Sequence, residues 1–234
     1  MMQITYNDKK SFDDFKLVLN YFKPQPPTPN VIKIEVPFMN GSYDFSTIGS
    51  FGEITYQDRK ISTSFQFVSK NKAEMLTRYS QILQWLMTPG KQKLIYSNDL
   101  GRYYMAKVDE PPSWDSLVRT GTLKVDFVAD PFKYKLSQEG EDIWDDFNFL
   151  TDKAQYTNEF TVAGTTAVTM YNGGMNVTPI INSTTNMTLI FEGKTYSLVP
   201  GDNTLYGLRL KNGENTLSVN GTGTIIIKFR EQFL

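Results

Sequence analysis

The sequence predicts a mainly β protein, in which a first part of strands and one α-helix is followed by a β-sandwich. Only one stretch has the apolar periodicity of a helix, and the other apolar runs are short and bounded by turn residues. Composition also changes near residue 150, because Thr, Asn and Gly make up 23 of the first 150 residues but 33 of the last 84. Thr favours strands and Asn and Gly favour turns, so the second part is predicted to consist of short strands joined by tight turns.

The first part contains one predicted helix, Lys72 to Thr88, with apolar residues at the i, i+3/i+4, i+7 spacing of a core-facing stripe. Asn71 and Glu74 have the spacing of a capping box, and Pro89-Gly90 ends the helix. The proline-rich stretch 23–29 is predicted to be an extended connector. The predicted strands are Val31 to Phe38, Lys60 to Val68, Gln92 to Tyr96, Arg102 to Val108 and Gly121 to Val128.

The second part alternates in the manner of half-buried strands. Met187, Leu189 and Phe191 share one face, with more polar residues between them. Turn signals recur about every ten residues, as in a β-sandwich. They are Glu192 to Lys194, Pro200 to Asn203, Lys211 to Asn215 and Asn220 to Gly223.

The predicted domains are residues 1–138 and 139–234. The boundary is placed in the charged stretch Ser137 to Asp146, where the composition changes. Five acidic residues cluster there: Glu139, Glu141, Asp142, Asp145 and Asp146. A glycosidase needs two carboxylates at a fixed separation, but a charge run at a domain boundary is far more often a solvated linker, and we interpret it as one.

Two missing residue types exclude most catalytic chemistry. The 234 residues include no Cys and no His, which excludes disulfides, thiolate nucleophiles, thiolate zinc sites and imidazole-based catalysis. The turns at Asn98 to Gly101 and Pro200 to Asn203 lack the full ligand spacing of a calcium loop. We therefore expect no enzymatic activity, no metal and no cofactor.

The charge balance and the hydropathy pattern bear on partners. With 24 Lys and Arg against 25 Asp and Glu, the net charge is −1, which argues against a general nucleic-acid binder. No apolar run approaches the roughly 18 residues that span a bilayer, and the polar N-terminus is unlike a signal peptide. We expect a soluble protein, synthesised in the cytoplasm, with no membrane partner.

The order and spacing of several short motifs resemble the distal tail protein family of siphophages, and the resemblance covers nearly the whole chain. In the first part the motifs are Gly41 to Ser46, Tyr56 to Arg59, Ser64 to Phe67, the helix end Trp85-Leu86, Lys93 to Ile95, Arg102 to Lys107 and Ala129 to Tyr134. In the second part they are Asn172 to Gly174, Val177 to Ile180, Phe191 to Thr195, Leu208 to Asn215 and Gly221 to Gly223.

This resemblance implies a structural virion protein, the distal hub of the phage tail. Residues 1–138 would be a β-sandwich-like domain that assembles into a homo-hexameric ring, and residues 139–234 a galectin-like β-sandwich. The ring would join the tail tube to the baseplate and leave a channel through which DNA passes without specific binding. The implied partners are the tail tube protein, a tail-associated lysin or spike, and receptor-binding or baseplate proteins. The implied location is the tail tip of the virion.

Aromatic residues of the first part are the candidates for contacts between ring neighbours. They are Phe38, Tyr43, Phe45 and Phe51, interleaved with Gly41, Gly49 and Gly52. The alternative is an ordinary hairpin that packs on its own domain. Phe12 and Phe15 are further candidates, and Trp85 and Trp114 are interpreted as core or subunit-interface residues.

A second function, from a different class, is a cell-wall carbohydrate-binding adhesion module that acts through the C-terminal sandwich. Sugar recognition needs an exposed aromatic ring with fixed polar groups around it. The galectin constellation requires His, and the chain has none. The sequence therefore favours a structural adaptor for this domain, while carbohydrate binding stays open.

Overall fold

The computed structural model describes residues 2–116, 120–138 and 157–234. The chain forms two compact units, Met1–Lys133 with Leu234, and Tyr134–Phe233. The acidic cluster that begins at Glu139 lies outside the described residues, as does most of the stretch in which the domain boundary is predicted. Within the described residues, no helix has the length and apolar character needed to cross a membrane.

Within the described residues, the first unit is built on a β-sheet whose strand pairs are mainly antiparallel. Its elements are β1 (Ile4–Tyr6), β2 (Lys9–Lys10), α1 (Ser11–Phe15), β3 (Val18–Pro24), β4 (Lys33–Glu35), β5 (Ser42–Asp44), β6 (Arg59–Val68), α2 (Lys72–Leu86), β7 (Gln92–Tyr96), β8 (Arg102–Val108), β9 (Ser113–Ser116) and β10 (Thr120–Lys135). The strand order is β2-β1-β7-β8-β10-β6-β3, and β9 also pairs with β10. β4 and β5 form a separate two-stranded sheet.

The core of the first unit lies between this sheet and α2. Trp85 is 4% exposed, and its indole N–H donates a 2.7 Å hydrogen bond to the carbonyl of Tyr6. Phe15 stacks on Trp85 with 4.5 Å between ring centroids, while Phe22 of β3 stacks on Tyr96 of β7 at the same distance. β3 and β7 are not neighbours in the sheet, so the contact between Phe22 and Tyr96 shows that the sheet is curled. Trp85 is a core residue, and its indole N–H has a hydrogen-bond acceptor.

Helix α2 begins where the sequence predicts, because Asn71 caps it. The Asn71 side chain accepts a 2.9 Å hydrogen bond from the N–H of Glu74, and the Glu74 carboxylate accepts one of 2.8 Å from the N–H of Lys70. The helix ends at Leu86, two residues before the predicted end. The sequence analysis missed α1, since a helix of five residues is too short to show a period.

Removing the Asn71 cap is expected to destabilise the first unit. Asn71→Ala leaves the N–H of Glu74 without its side-chain acceptor, and loss of such a cap costs about 0.5–2 kcal/mol. The measurement is the free energy of unfolding by chemical denaturation. Asn71→Ser, which keeps an acceptor oxygen, is the control; equal losses in the two variants would contradict the role of the cap.

The second unit is built on a six-stranded antiparallel sheet. Its strands are β11 (Glu159–Asn172), β12 (Ile180–Ser183), β13 (Met187–Phe191), β14 (Lys194–Leu198), β15 (Gly201–Thr204) and β16 (Gly213–Lys228), and β17 (Gln232–Phe233) follows and pairs with β10. The order is β14-β13-β16-β12-β15, with β11 along the other edge of β16. The predicted face of Met187, Leu189 and Phe191 is buried. The mainly β fold class is confirmed for both parts.

One turn predicted in the second part is wrong and another is shorter than predicted. β16 continues through Asn220 to Gly223. The turn predicted at Pro200 to Asn203 is confined to Val199 and Pro200, because β14 ends at Leu198 and β15 begins at Gly201. The glycines of β16 serve close packing instead of a turn, because a Cβ at Gly221 would lie 2.7 Å from the Cγ of Met187. The same argument applies at Gly223, where a Cβ would lie 2.6 Å from the Oγ1 of Thr184.

Buried asparagine amides close the turns of this unit. Asn203 is 8% exposed and its amide nitrogen donates to three carbonyls, those of Ile181, Val199 and Gly201, at 2.8 to 3.1 Å. Its amide oxygen accepts a 3.0 Å bond from the N–H of Val199. One side chain thus ties the end of β14 and the start of β15 to β12.

Asn203→Ala is expected to lower the free energy of unfolding of the second unit by about 1–3 kcal/mol, because it removes the donor to the buried carbonyl of Ile181 and to two partly buried carbonyls. The measurement is denaturant unfolding of the full chain. Asn186→Ala, at an exposed position between β12 and β13, is the matched control. Similar unfolding free energies for the two variants would contradict the prediction.

Candidate functional site

The most exposed feature of the first unit is the segment Gln25 to Asp58, which we call the arm. It connects β3 to β6 and contains β4 and β5. No residue of the arm is buried, and none belongs to the hydrophobic core. Among the described residues, the arm therefore contributes nothing to the hydrophobic core of its own unit.

Hydrogen bonds between its two sides hold the arm in an extended form. The N–H of Asn30 donates to the carbonyl of Thr55, and the N–H of Gln57 to that of Thr28, both at 2.8 Å. Farther out, β4 pairs with β5, with Ile34 opposite Tyr43. The proline-rich connector predicted at 23–29 thus forms one side of the arm where it leaves the sheet.

The arm carries an unusual amount of exposed apolar side chain. Nine large apolar residues of the arm are at least 41% exposed: Val31, Ile32, Ile34, Val36, Phe38, Tyr43, Ile48, Phe51 and Ile54. Large exposed apolar patches on soluble proteins mark interaction surfaces. The arm is therefore a candidate interaction surface.

Phe38 stands on a tight turn at the tip of the arm. The N–H of Met39 donates a 3.2 Å hydrogen bond to the carbonyl of Val36, with Pro37 and Phe38 between them. Phe38 has a φ of 68°, a value that a type II turn needs at this position and that Gly or Asn usually supplies. Its side chain is fully exposed, so no burial of the ring offsets the free-energy cost of the left-handed conformation.

A second phenylalanine of the arm is held in the same way. The N–H of Glu53 donates a 3.1 Å bond to the carbonyl of Ser50, and Phe51 and Gly52 between them both have positive φ, 57° and 81°. This is the pattern of a type I′ turn, which disfavours an aromatic residue. Residues held in such sparsely populated conformations cluster at functional sites.

All four aromatic residues predicted as ring contacts lie on the arm. Tyr43 and Phe45 are neighbours, with ring centroids 6.2 Å apart, whereas Phe38 and Phe51 occupy different turns. Phe12 is half-buried, with the ammonium of Lys16 5.5 Å from its ring centroid, and Phe15 packs on Trp85. Trp114 is half-buried and stacks on Tyr79 at 4.2 Å.

The sequence analysis missed the aliphatic half of this surface. Val31, Ile32, Ile34 and Val36 form a dense β-branched run, which predicted a strand of eight residues. Only Lys33–Glu35 is a strand, and the run faces solvent. The proline-rich stretch before this run was the available signal. Prolines interrupt strand pairing, so the chain that follows them is free to leave the sheet.

The root of the arm is fixed by charged side chains. Arg59, 4% exposed, donates a hydrogen bond to the carbonyl of Pro131, and its guanidinium carbon lies 5.5 Å from the ring centroid of Tyr104. Burial lowers the pKa of Arg59 from its usual value and raises that of Tyr104. The ammonium of Lys91 bridges Asp58 at 2.9 Å and Asp130 at 2.6 Å.

The described residues contain no cluster of acidic side chains suited to a metal ion. In residues 2–116, 120–138 and 157–234, no group of three or more acidic side chains lies close enough to hold a metal ion. The carboxylate of Asp44, on the arm, accepts hydrogen bonds from Ser46, and these lower its pKa. This carboxylate shapes a turn of the arm.

Comparison with known proteins places the chain in a family. The phage tail protein RIFT-related domain of siphophages matches residues 4–129, more than half of the chain. The crystal structure of the SPP1 Dit (gp 19.1) protein, described as a paradigm of the hub adsorption apparatus in phages that infect Gram-positive bacteria, is similar with a TM-score of 0.66. The two chains are 13% identical, and the similarity covers 100% of each. No curated protein sequence matches the chain. The chain therefore belongs to the siphophage tail protein family that carries the RIFT-related domain, which confirms the family predicted from its motifs.

Proposed function

We propose that this protein is the structural, non-enzymatic hub at the distal end of a siphophage tail, and that it assembles into a homo-hexameric ring. Residues 1–138 form the ring that continues the tail tube, and residues 139–234 dock receptor-binding or baseplate proteins. The family match, and a fold shared with a protein described as a hub of an adsorption apparatus, support this proposal.

The exposed arm is the observation that carries the proposal. A monomer that leaves nine large apolar side chains of one segment in water exposes a surface of the kind that assemblies bury. In a ring, the arm of each subunit can reach over its neighbour. The fully exposed ring of Phe38 is then covered in the assembly.

The charge of the protein is compatible with a channel for DNA. A tube lumen must let the genome slide, and a clustered basic surface would hold it through phosphate contacts. The net charge of −1 gives no such excess. The same neutrality favours close packing of six identical subunits, which a large net charge would oppose.

Native mass spectrometry and negative-stain imaging of the purified full chain test the proposal. We expect a six-subunit species and ring-shaped particles with a central opening. A protein that stays monomeric over the whole accessible concentration range and is missing from purified virions would contradict it. A stable monomer that binds glycans on an array would favour the carbohydrate-binding alternative.

A further inference from the structure

A closed ring needs two different surfaces on each subunit. In a cyclic assembly with more than two subunits the contacts are heterologous, so one patch meets a different patch on the neighbour. The arm supplies only the first of these patches. Residues 36–43, at the tip of the arm, are all uncharged, so the tip cannot pair with a charge on the neighbour. The second patch must therefore be free of charged side chains, because a charge buried there would have no partner.

The outward face of α2 has this character. The charged residues of α2 lie in its first half, at Lys72, Glu74 and Arg78, and the stretch from Tyr79 to Gly90 contains no charged residue. Surface helices usually carry charges on the face that points to water. Depletion of charge on an exposed face is a mark of the centre of a protein interface.

This face of α2 also contains a second apolar stripe, distinct from the one that packs on the core. Leu76 is 49% exposed, Leu83 is half-buried and Met87 is 54% exposed. With Ser80 between them they follow the spacing of neighbours on a helix. A shallow groove of about 700 Å³ runs along the stripe, lined by Thr77, Ser80, Gln81, Leu83, Gln84 and Met87.

We propose that the groove on α2 receives the arm of a second copy of this chain, with the turn that carries Phe38 seated in it. This inference rests on the proposed ring and names its second surface. The turn presents one fully exposed aromatic side chain on an uncharged loop, and the groove offers an uncharged apolar floor. Neither surface brings a charge that the other would have to neutralise.

Another exposed apolar site of the first unit fits the arm less well. Val68, 63% exposed, lies at the end of β6, where its carbonyl accepts a hydrogen bond from Arg78. Arg78 forms a 2.8 Å ion pair with Glu74, and Lys70 follows two residues after Val68. An apolar loop that covered this site would remove water from charged groups and give them no partner.

Disulfide crosslinking tests the inference cleanly, because the chain has no Cys of its own. The full chain with Asn40→Cys, which lies next to the turn and keeps Phe38 in place, and Gln84→Cys is oxidised and run on a denaturing gel. We expect a ladder of covalent oligomers that ends at the hexamer, because each subunit then carries both halves of the contact. Mixing the two single variants is expected to give a covalent dimer and no larger species.

The matched control is the variant with Asn40→Cys and Val68→Cys, which keeps the arm cysteine and moves the second one to the other apolar site. We expect little crosslinking from it. A ladder from this variant and none from the Gln84→Cys pair, in a protein that still forms rings, would overturn the inference and leave the proposed ring standing. Absence of rings in the unmodified chain would overturn both.

A charge on the groove gives an independent readout. Ser80→Glu and Gln84→Glu place carboxylates on an exposed helix face, where both positions tolerate charge in the monomer. We expect the double variant to unfold at the same temperature as the unmodified chain and to lose the six-subunit species in native mass spectrometry. Unimpaired rings would overturn the inference.

Discussion

The arm variant with Phe38→Ser and Tyr43→Ser is expected to lose the six-subunit species and to stay folded as a monomer. Aromatic residues at the centre of an interface typically contribute about 2 kcal/mol or more each when truncated, which is enough to dissociate a ring held by six such contacts. Neither side chain touches the core, so the free energy of unfolding is expected to change by no more than about 0.5 kcal/mol. Native mass spectrometry and denaturant unfolding measure the two quantities.

Two other exposed residues are the controls for this experiment. Leu100 is 83% exposed in the first unit and Tyr206 is 86% exposed in the second, and neither lies on the arm. Leu100→Ser and Tyr206→Ser remove similar apolar surface from other sites. Loss of the ring in both controls, or an intact ring in the arm variant, would show that the arm is not the interface.

Gly174→Ala is expected to disrupt the C-terminal end of the second unit. A Cβ at this position would meet the carbonyl oxygen of Gln232 and come within 2.9 Å of its amide nitrogen. The backbone approaches this closely because the N–H of Met175 donates a 2.7 Å hydrogen bond to the same carbonyl. Backbone atoms cannot swing aside as a flexible side chain can, so β17 has to move. Overpacking of this kind costs about 1–3 kcal/mol, and thermal unfolding of the full chain measures it.

Gly164→Asn is the matched control in the same unit. Gly164 has a φ of 76° and open space around it, and Asn tolerates this left-handed conformation better than other residues with side chains. We expect a small loss of stability from Gly164→Asn and a large one from Gly174→Ala. The reverse order would mean that β17 adapts without cost.

Features governed by near neighbours in the chain could be predicted from the sequence. β7 and β8 have the predicted bounds, because each is an apolar run closed by turn residues at Ser97 to Gly101. The start of α2 was found because the capping pair Asn71 and Glu74 is a contact between residues three apart. Both depend on interactions that the local sequence contains in full.

Features that depend on residues far apart in the sequence were not predicted correctly. The glycines of β16, for example, were predicted to form a turn and lie inside a strand. β11 and β16 pair along fourteen residues, from Glu159 with Ile226 to Asn172 with Gly213. No local pattern distinguishes the glycines in the middle of this pair from turn glycines. Their role becomes visible only where β16 passes Met187 at a distance that excludes a Cβ.

For the candidate interface, too, local features could be predicted from the sequence, whereas burial could not. The sequence by itself determined the mainly β class, the capped helix, the neutral charge and the exclusion of His and Cys chemistry, because these follow from composition and from contacts within one helix or strand. Only the tertiary structure decided that Ile34 and Phe38 face water while Ile61 and Phe65 are buried, although both pairs belong to apolar, β-branched runs. The physical reason is that burial depends on which surfaces the rest of the chain covers, and among the described residues the arm contributes nothing to the hydrophobic core.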